Sequence, residues 1–252
     1  DGVEFLININ PVKTQDFNWE FSFNVAHYNP KVTKFNDVAD GYGIEVGGIS
    51  GGIGNNVQTH KEGYNPYTFN VYQQVYDSSG KPLEGVYVDR NGDGRITVAD
   101  KYLYKSTTPD ATFGFSTKFR YKNWDLSTSL RAVLGNYVYN NAASESNVQS
   151  IATNDFMQNM SSTAVEYGFK TPQFWSDIFV EDASFIRMDN LTLGYNFGDI
   201  FNKGSNLRVF GMAQNVFVIT DYKGVDPEIF GNIDNGFYQR PKIYSLGLNF
   251  QF

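Results

Sequence analysis

Across residues 243–252 apolar and polar side chains alternate without a break: Tyr244, Leu246, Leu248, Phe250 and Phe252 take one parity, and Ser245, Gly247, Asn249 and Gln251 take the other. An extended chain sends successive side chains to opposite faces, so the pattern predicts a strand with one apolar and one small polar face. The pattern recurs. Val3, Phe5, Ile7 and Ile9 stand against Glu4, Leu6, Asn8 and Asn10; after Thr14-Gln15-Asp16, Phe17, Trp19, Phe21, Phe23 and Val25 stand against Asn18, Glu20, Ser22 and Asn24. A carboxylate and two amides on an inner face are expensive in a dry core and comfortable in a wet channel. A second hairpin turns at Lys122-Asn123 and carries Lys118, Arg120, Asp125, Ser127, Ser129 and Arg131 on its polar side. Residues 184–197, 207–220 and 243–252 complete seven long strands, each near the roughly 9–11 residues that a tilted membrane-spanning strand needs.

The connections alternate in length: short at 14–16, 122–123 and 199–205, long at 29–110, 138–183 and 221–240. Short turns on one rim and long loops on the other are the arrangement of outer-membrane barrels. Phe17, Trp19, Phe119, Tyr121, Trp124, Tyr195, Phe197, Phe250 and Phe252 all fall beside the short-turn rim, as an interfacial aromatic girdle requires. Single-chain bacterial barrels close with an even number of strands, and seven would leave two raw edges in lipid. The expected architecture is therefore all-β: about seven antiparallel strands forming the C-terminal part of a larger transmembrane barrel across residues 1–252, with long extracellular excursions at 30–110 and 138–183. Within the first excursion, residues 47–54 read as a flexible Gly-rich loop, and residues 67–76 and 86–89 as short strands.

Composition agrees with many strands and turns. The 252 residues include 22 Phe, 17 Tyr, 3 Trp and 24 Gly, with no Cys. No apolar run is long enough for a membrane helix. A net charge of −7 without a Lys/Arg cluster disfavours nucleic acid as a partner. The first residues, Asp1-Gly2-Val3-Glu4-Phe5, do not read as a signal peptide.

One segment could hold a metal ion. From Asp89 to Asp100 the order Asp89, Asn91, Asp93, Gly94, Arg95, Thr97, Asp100 follows the spacing of a calcium loop: side-chain oxygens at positions one, three and five, Gly at six, and a carboxylate at twelve. Arg95 would offer its carbonyl and Thr97 a hydroxyl or a bridging water. Calcium would stiffen the excursion. The alternative reading is a plain hairpin, because Asn91-Gly92 and Asp93-Gly94 are favoured turn dipeptides. His27 and His60 lack metal-ligand spacing, and Asp177, Glu181 and Asp182 read as loop carboxylates, so no catalytic residue is assigned and the chain is not expected to be an enzyme. The loop aromatics Tyr64, Tyr67, Phe69, Tyr72, Tyr76, Phe174 and Trp175 are read mostly as packing groups.

Several blocks resemble one family in order along the chain: residues 87–94 (YVDRNGDG), 109–115 (PDATFGF), 121–127 (YKNWDLS), 180–195 (VEDASFIRMDNLTLGY), 214–217 (QNVF), 224–228 (GVDPE) and the closing 240–252. They are similar to the SusC-like (SusC/RagA) TonB-dependent transporters. The resemblance implies an outer-membrane barrel of Bacteroidetes type, plugged by a separate domain, energised through TonB and served by a SusD-like surface lipoprotein that delivers glycan. It also implies that the terminal aromatic, Phe252, is read as an assembly signal. Residues 64–67 (YNPY) and 71–76 (VYQQVY) look closest to starch-transporting members, although peptide importers share the same blocks. The competing class is a soluble, secreted, calcium-dependent carbohydrate-binding β-domain.

Overall fold

The computed structural model describes residues 1–35, 43–49, 54–148, 160–200 and 204–251. In chain order its strands are β1 (Gly2–Lys13), β2 (Phe17–Tyr28), β3 (Gly43–Gly48), β4 (Asn56–Lys61), β5 (Thr68–Val71), β6 (Gln74–Tyr76), β7 (Pro82–Tyr87) and β8 (Tyr102–Leu103). There follow β9 (Ala111–Tyr121), β10 (Trp124–Leu134), β11 (Tyr137–Tyr139), β12 (Val180–Asp182), β13 (Phe185–Gly198), β14 (Asn206–Thr220) and β15 (Ile243–Gln251). Two short helices, α1 (Asn141–Glu145) and α2 (Ser162–Tyr167), lie between β11 and β12.

The seven long strands form one antiparallel sheet in the order β1-β2-β9-β10-β13-β14-β15. Each is paired with its neighbours along the meander, as the alternation predicts. Register fixes the faces. Asp125 lies opposite Arg120 and Gly194, Ser127 opposite Lys118 and Thr192, and Ser129 opposite Ser116 and Asn190, so the polar parity is continuous from strand to strand. Leu126, Leu193 and Gly211 align on the other face, as do Thr128, Leu191 and Ala213. Asn8, Ser22, Ser116, Ser129 and Asn190, from five strands, line one hollow of about 600 Å³. The sheet is therefore concave on its polar side.

The convex face carries the apolar side chains outward: Leu193 is 49% exposed, Leu248 69% and Leu246 85%. Trp19, Thr117 and Thr128 on that face satisfy their polar atoms internally. Trp19 donates its indole N–H to Thr117 Oγ1 at 2.9 Å, Thr117 donates on to the carbonyl of Glu20, and Thr128 donates to the carbonyl of Asn190. Hydrocarbon offers no replacement hydrogen bonds, so a lipid-facing wall has to satisfy its polar groups this way.

The short turns meet at one rim. Lys122 N–H donates to the carbonyl of Asp16 at 2.7 Å and Asn196 N–H to that of Asn123 at 2.8 Å. The rings gather there as expected, with Trp19 stacked 5.6 Å from Phe119, and Trp124 and Phe197 each 4.8 Å from Tyr195. Phe252, the proposed assembly signal, lies outside the described residues.

At the other rim the long connections fold together into a cap. Its core comprises Ile49, Val57, Phe69, Val71, Tyr139, Ala143, Phe169, Phe179, Val180 and Ile233, so all three long connections contribute. Strands β3, β4, β5 and β8 form a small sheet, and β6–β7 and β11–β12 form two ribbons. This corrects the reading of residues 47–54 as loop: Gly43–Gly48 is a strand paired with β4, and Ile49 is buried in the cap core, while residues 50–53 lie outside the described residues. The expected strand at 67–76 is two strands, because Tyr72 leaves the ladder to pair with Ser176. The strand expected at 86–89 ends at Tyr87. Among the loop aromatics Phe69 is fully buried, whereas Tyr64, Tyr67 and Tyr76 are about half exposed.

Candidate functional site

Three features could bear function: the 89–100 loop, the polar concave face, and the junction where the cap meets that face. The loop is a closed ring of hydrogen bonds. Asp89 accepts from the N–H groups of Gly92 and Gly94, both at 2.7 Å, and Asp93 Oδ1 accepts from Arg95 N–H at 2.8 Å while Asp93 N–H donates to Asn91 Oδ1. Gly92 and Gly94 both adopt positive φ (74° and 78°), a conformation cheap only for glycine. Asp100 ties the end of the loop to its start, accepting from Arg90 N–H at 2.9 Å and from Thr97 N–H at 2.7 Å. Thr97 in turn caps the 3₁₀ turn Val98–Asp100. The Thr97 amide is the main force holding the Asp100 carboxyl below the usual aspartate range; burial opposes it, and the amides of Asn91 and Arg90 add to it. The six predicted ligands thus share one loop, with their carboxylates turned onto its backbone. Among the described residues no group of three His, Cys, Asp or Glu side chains gathers as a metal cluster.

The loop carboxylates 177, 181 and 182 are structural. Asp177 accepts from Gln74 N–H at 3.0 Å and from the Tyr102 hydroxyl at 2.7 Å, joining the first excursion to the second. Glu181 accepts from Asn140 and from the N–H of Lys223. Burial raises its pKa. Asp182 accepts from Ser184 N–H. His27 faces the carbonyl of Asp110, and His60 packs edge-on against Tyr67 at 4.4 Å.

The junction holds a charge network that the sequence reading did not assign. Arg187 on β13 is only 2% exposed and pairs with Asp226 at 2.6 Å. Its guanidinium also donates to Asn215 Oδ1 at 2.6 Å. Arg131 on β10 grips Glu228 with two hydrogen bonds of 2.6 and 2.8 Å and reaches Asp189 at 2.8 Å. Arg240 closes the group on Glu228 at 2.6 Å. Three guanidinium groups meet three carboxylates, and Asp226, Glu228 and Arg240 all belong to the third long connection. The network therefore clamps that connection to the wall. Two irregularities aim it: register shifts at Asp189 on β13, and Asn215 adopts a left-handed φ of 50° on β14. Asparagine tolerates that conformation better than most residues. The available signal was Arg131 on the polar parity of β10 and the carboxylates flanking Pro227; Arg187 shares the odd parity of Leu191 and Leu193, and only the register shift at Asp189 brings it opposite Arg131.

Lower on the concave face, Arg208 of β14 forms a two-pronged ion pair with Asp125 of β10, at 2.6 and 2.9 Å. It does so by crossing over Gly194 of the intervening strand. A Cβ at Gly194 would stand 2.5 Å from both partners, so the glycine leaves the passage open.

A meander with an apolar convex face, an aromatic rim and a polar concave face has the features of a segment of transmembrane β-barrel wall. Its whole length is 44% identical, over 261 residues, to the TonB-dependent receptor SusC of Bacteroides thetaiotaomicron, and 28% identical, over 286 residues, to TonB-dependent receptor P3 of Formosa agariphila. It covers 26% and 28% of those receptors. Among solved structures, the RagAB peptide importer in its open-open state superposes on the whole chain with a TM-score of 0.73 at 23% identity, 28% of that chain being covered. The closed-closed state gives 0.72 at 24% identity over 98% of the chain. No protein-family model matches the chain. The chain belongs to the SusC-like TonB-dependent receptors of the bacterial outer membrane and spans less than a third of the length of these relatives. The soluble carbohydrate-binding alternative is without support, since every relative named here is a receptor or an importer.

Proposed function

We propose that this chain forms one sector of a TonB-driven importer that takes up an oligosaccharide, with malto-oligosaccharides as the first candidates, from a SusD-like surface lipoprotein. The observation that carries the reading is a folded cap clamped by Arg131, Arg187 and Arg240 over a polar concave wall. The wall is built to pass hydrophilic cargo and the cap to receive it. Glycan is favoured over peptide by the higher identity to SusC, 44% against 23% for the RagAB peptide importer, and by the similarity of residues 64–67 and 71–76 to starch-transporting members. Calcium in the 89–100 loop is proposed as a stiffener, on the spacing of its oxygens alone.

The test uses the complete protein together with its lipoprotein in a strain deleted for both. Restored uptake of labelled maltoheptaose, abolished when TonB is inactivated, is the expected result. Uptake of peptides in place of the sugar would move the protein to the peptide-importing branch.

A further inference from the structure

The cap holds a polar pocket of about 500 Å³ between α1, the start of α2 and the third long connection, within the roughly 300–1,000 Å³ of small-molecule sites. Its frame is tied from both sides. Asn140 caps α1 by accepting from Ala143 N–H at 2.9 Å and donates to Glu181, which also takes the N–H of Lys223. The Asp234 carbonyl accepts from Ala142 N–H at 2.9 Å, while its carboxylate holds the Tyr222 hydroxyl and Gly236 N–H, both at 2.9 Å. Ala142, Ala143, Gly224 and Gly236 line the pocket with almost no side chain, so a ligand can come close to the backbone. Polar groups with bonding capacity to spare stand on this frame. The half-buried Glu145 carboxylate takes part in no ion pair or hydrogen bond among the described residues. Asn235 uses its Oδ1 to accept from Asn141 at 2.8 Å, which leaves its side-chain N–H groups, and Lys223 uses one N–H on Glu166 at 3.4 Å.

We infer that this pocket binds the end of a neutral oligosaccharide, with Glu145 and Asp234 accepting from sugar hydroxyls and Lys223 and Asn235 donating to them. The inference rests on the glycan reading above and adds where the cap takes hold of the sugar. A hydroxyl both donates and accepts, so its site needs both kinds of group side by side, and each Asp234 oxygen keeps a lone pair beyond the bond it already takes. Met160 and Val225, also in the lining, supply an apolar surface for the carbon-bound hydrogens of a sugar ring. Other occupants fit worse. Calcium demands six or more oxygens, and among the described residues no three His, Cys, Asp or Glu side chains gather. An anion would meet two carboxylates against one lysine already paired with Glu166. An apolar ligand would strand the polar lining without partners.

Titration calorimetry of the complete receptor in detergent, without its lipoprotein, tests the pocket with maltotriose as the probe. The wild type should bind. Glu145→Ala should weaken binding about tenfold or more, the size of a lost hydrogen bond to a charged group, and Ala142→Phe, which fills the pocket, should abolish it. Lys223 gives a reading that needs no variant. Maltotriose should slow its acetylation several-fold and leave that of the exposed Lys81 and Lys170 unchanged. Undiminished binding by both variants, with no protection of Lys223, overturns the pocket and leaves the glycan reading standing. Absence of binding by the wild type also overturns the pocket, and the uptake assay above then decides the glycan reading separately. Protection of Lys223 by peptides in place of the sugar overturns both.

Discussion

The wall and the cap are made from the same chain by opposite means. The wall has no interior of its own: its strands are stabilised by ladder hydrogen bonds to immediate neighbours in the sequence order, and both faces depend on what lies beyond the sheet, lipid on one side and water on the other. The cap is a small globular body whose buried residues come from three connections separated by wall strands, with Val57, Phe69, Phe179 and Ile233 brought into one cluster. Stability in the wall is thus borrowed from its surroundings, while in the cap it is internal. The two regions meet at the Arg131, Arg187 and Arg240 clamp.

The clamp offers the sharpest way to break the comparison. Removing one partner of a buried ion pair leaves the other uncompensated, at a cost of roughly 3–5 kcal/mol. Asp226→Ala removes the 2.6 Å partner of Arg187, which has 2% exposure and keeps only Glu228 at 3.6 Å, so the loss falls toward the lower end of that range and should free the third long connection from the wall. Hydrogen exchange should then rise around Tyr222 and Ile233 while the pairing of β10 with β13 stays protected. Unchanged exchange in the cap would mean that its apolar core alone fixes that connection.

The wall answers to its surroundings instead. On the convex face Leu191→Arg should cost roughly 2–4 kcal/mol at mid-bilayer, read as lost assembly in membranes of the complete protein. Ser127→Arg, one position off in parity and facing the hollow, should assemble nearly normally. Equal losses from the two substitutions would deny that the convex face meets lipid.

The same contrast explains what could be read from the sequence. Wall strands are legible because pairing is between consecutive strands and the period-two pattern is imposed by a uniform environment on each face. Leu193, Leu246 and Leu248 announce their face by type alone, and the short turns announce the rim. The cap has no such uniform environment. Gly43–Gly48 carries Glu45 among apolar neighbours and three glycines, and nothing local shows that Ile49 will be buried against Val57 and Ile233. The clamp was hidden for a related reason. Arg131 looks like an ordinary lumenal charge, and Arg187 shares the parity of Leu191 and Leu193 until the register shift at Asp189 turns it toward Asp226 and Glu228.

A smaller effect probes the electrostatics of the cap alone. The Asp100 carboxyl is held below its unfolded pKa, first by the Thr97 amide and then by those of Asn91 and Arg90. In that range the unfolded loop binds more protons than the folded one, so stability rises with pH. The contribution is fully present above the ordinary aspartate value of about 3.9 and is lost as pH falls through the lower folded value. Protease resistance of residues 89–100 should therefore fall in acid, and Asp100→Asn should show weak resistance with little pH dependence. A wild-type loop indifferent to acid would contradict the closing role of Asp100.

The smallest predicted effect concerns calcium, because the loop already closes through its own amides. Asp93→Ala removes the acceptor of Arg95 N–H and an oxygen from position five of the proposed ligand set. If calcium adds to the amide ring, chelator should speed cleavage of the wild-type loop and leave the variant unaffected, and titrated calcium should restore only the wild type. If the ring is sufficient, chelator changes neither protein and the variant differs by one lost hydrogen bond to an exposed carboxylate, within about 1.5–3 kcal/mol. The two outcomes separate a metal-stiffened loop from a hairpin that uses its aspartates as backbone caps.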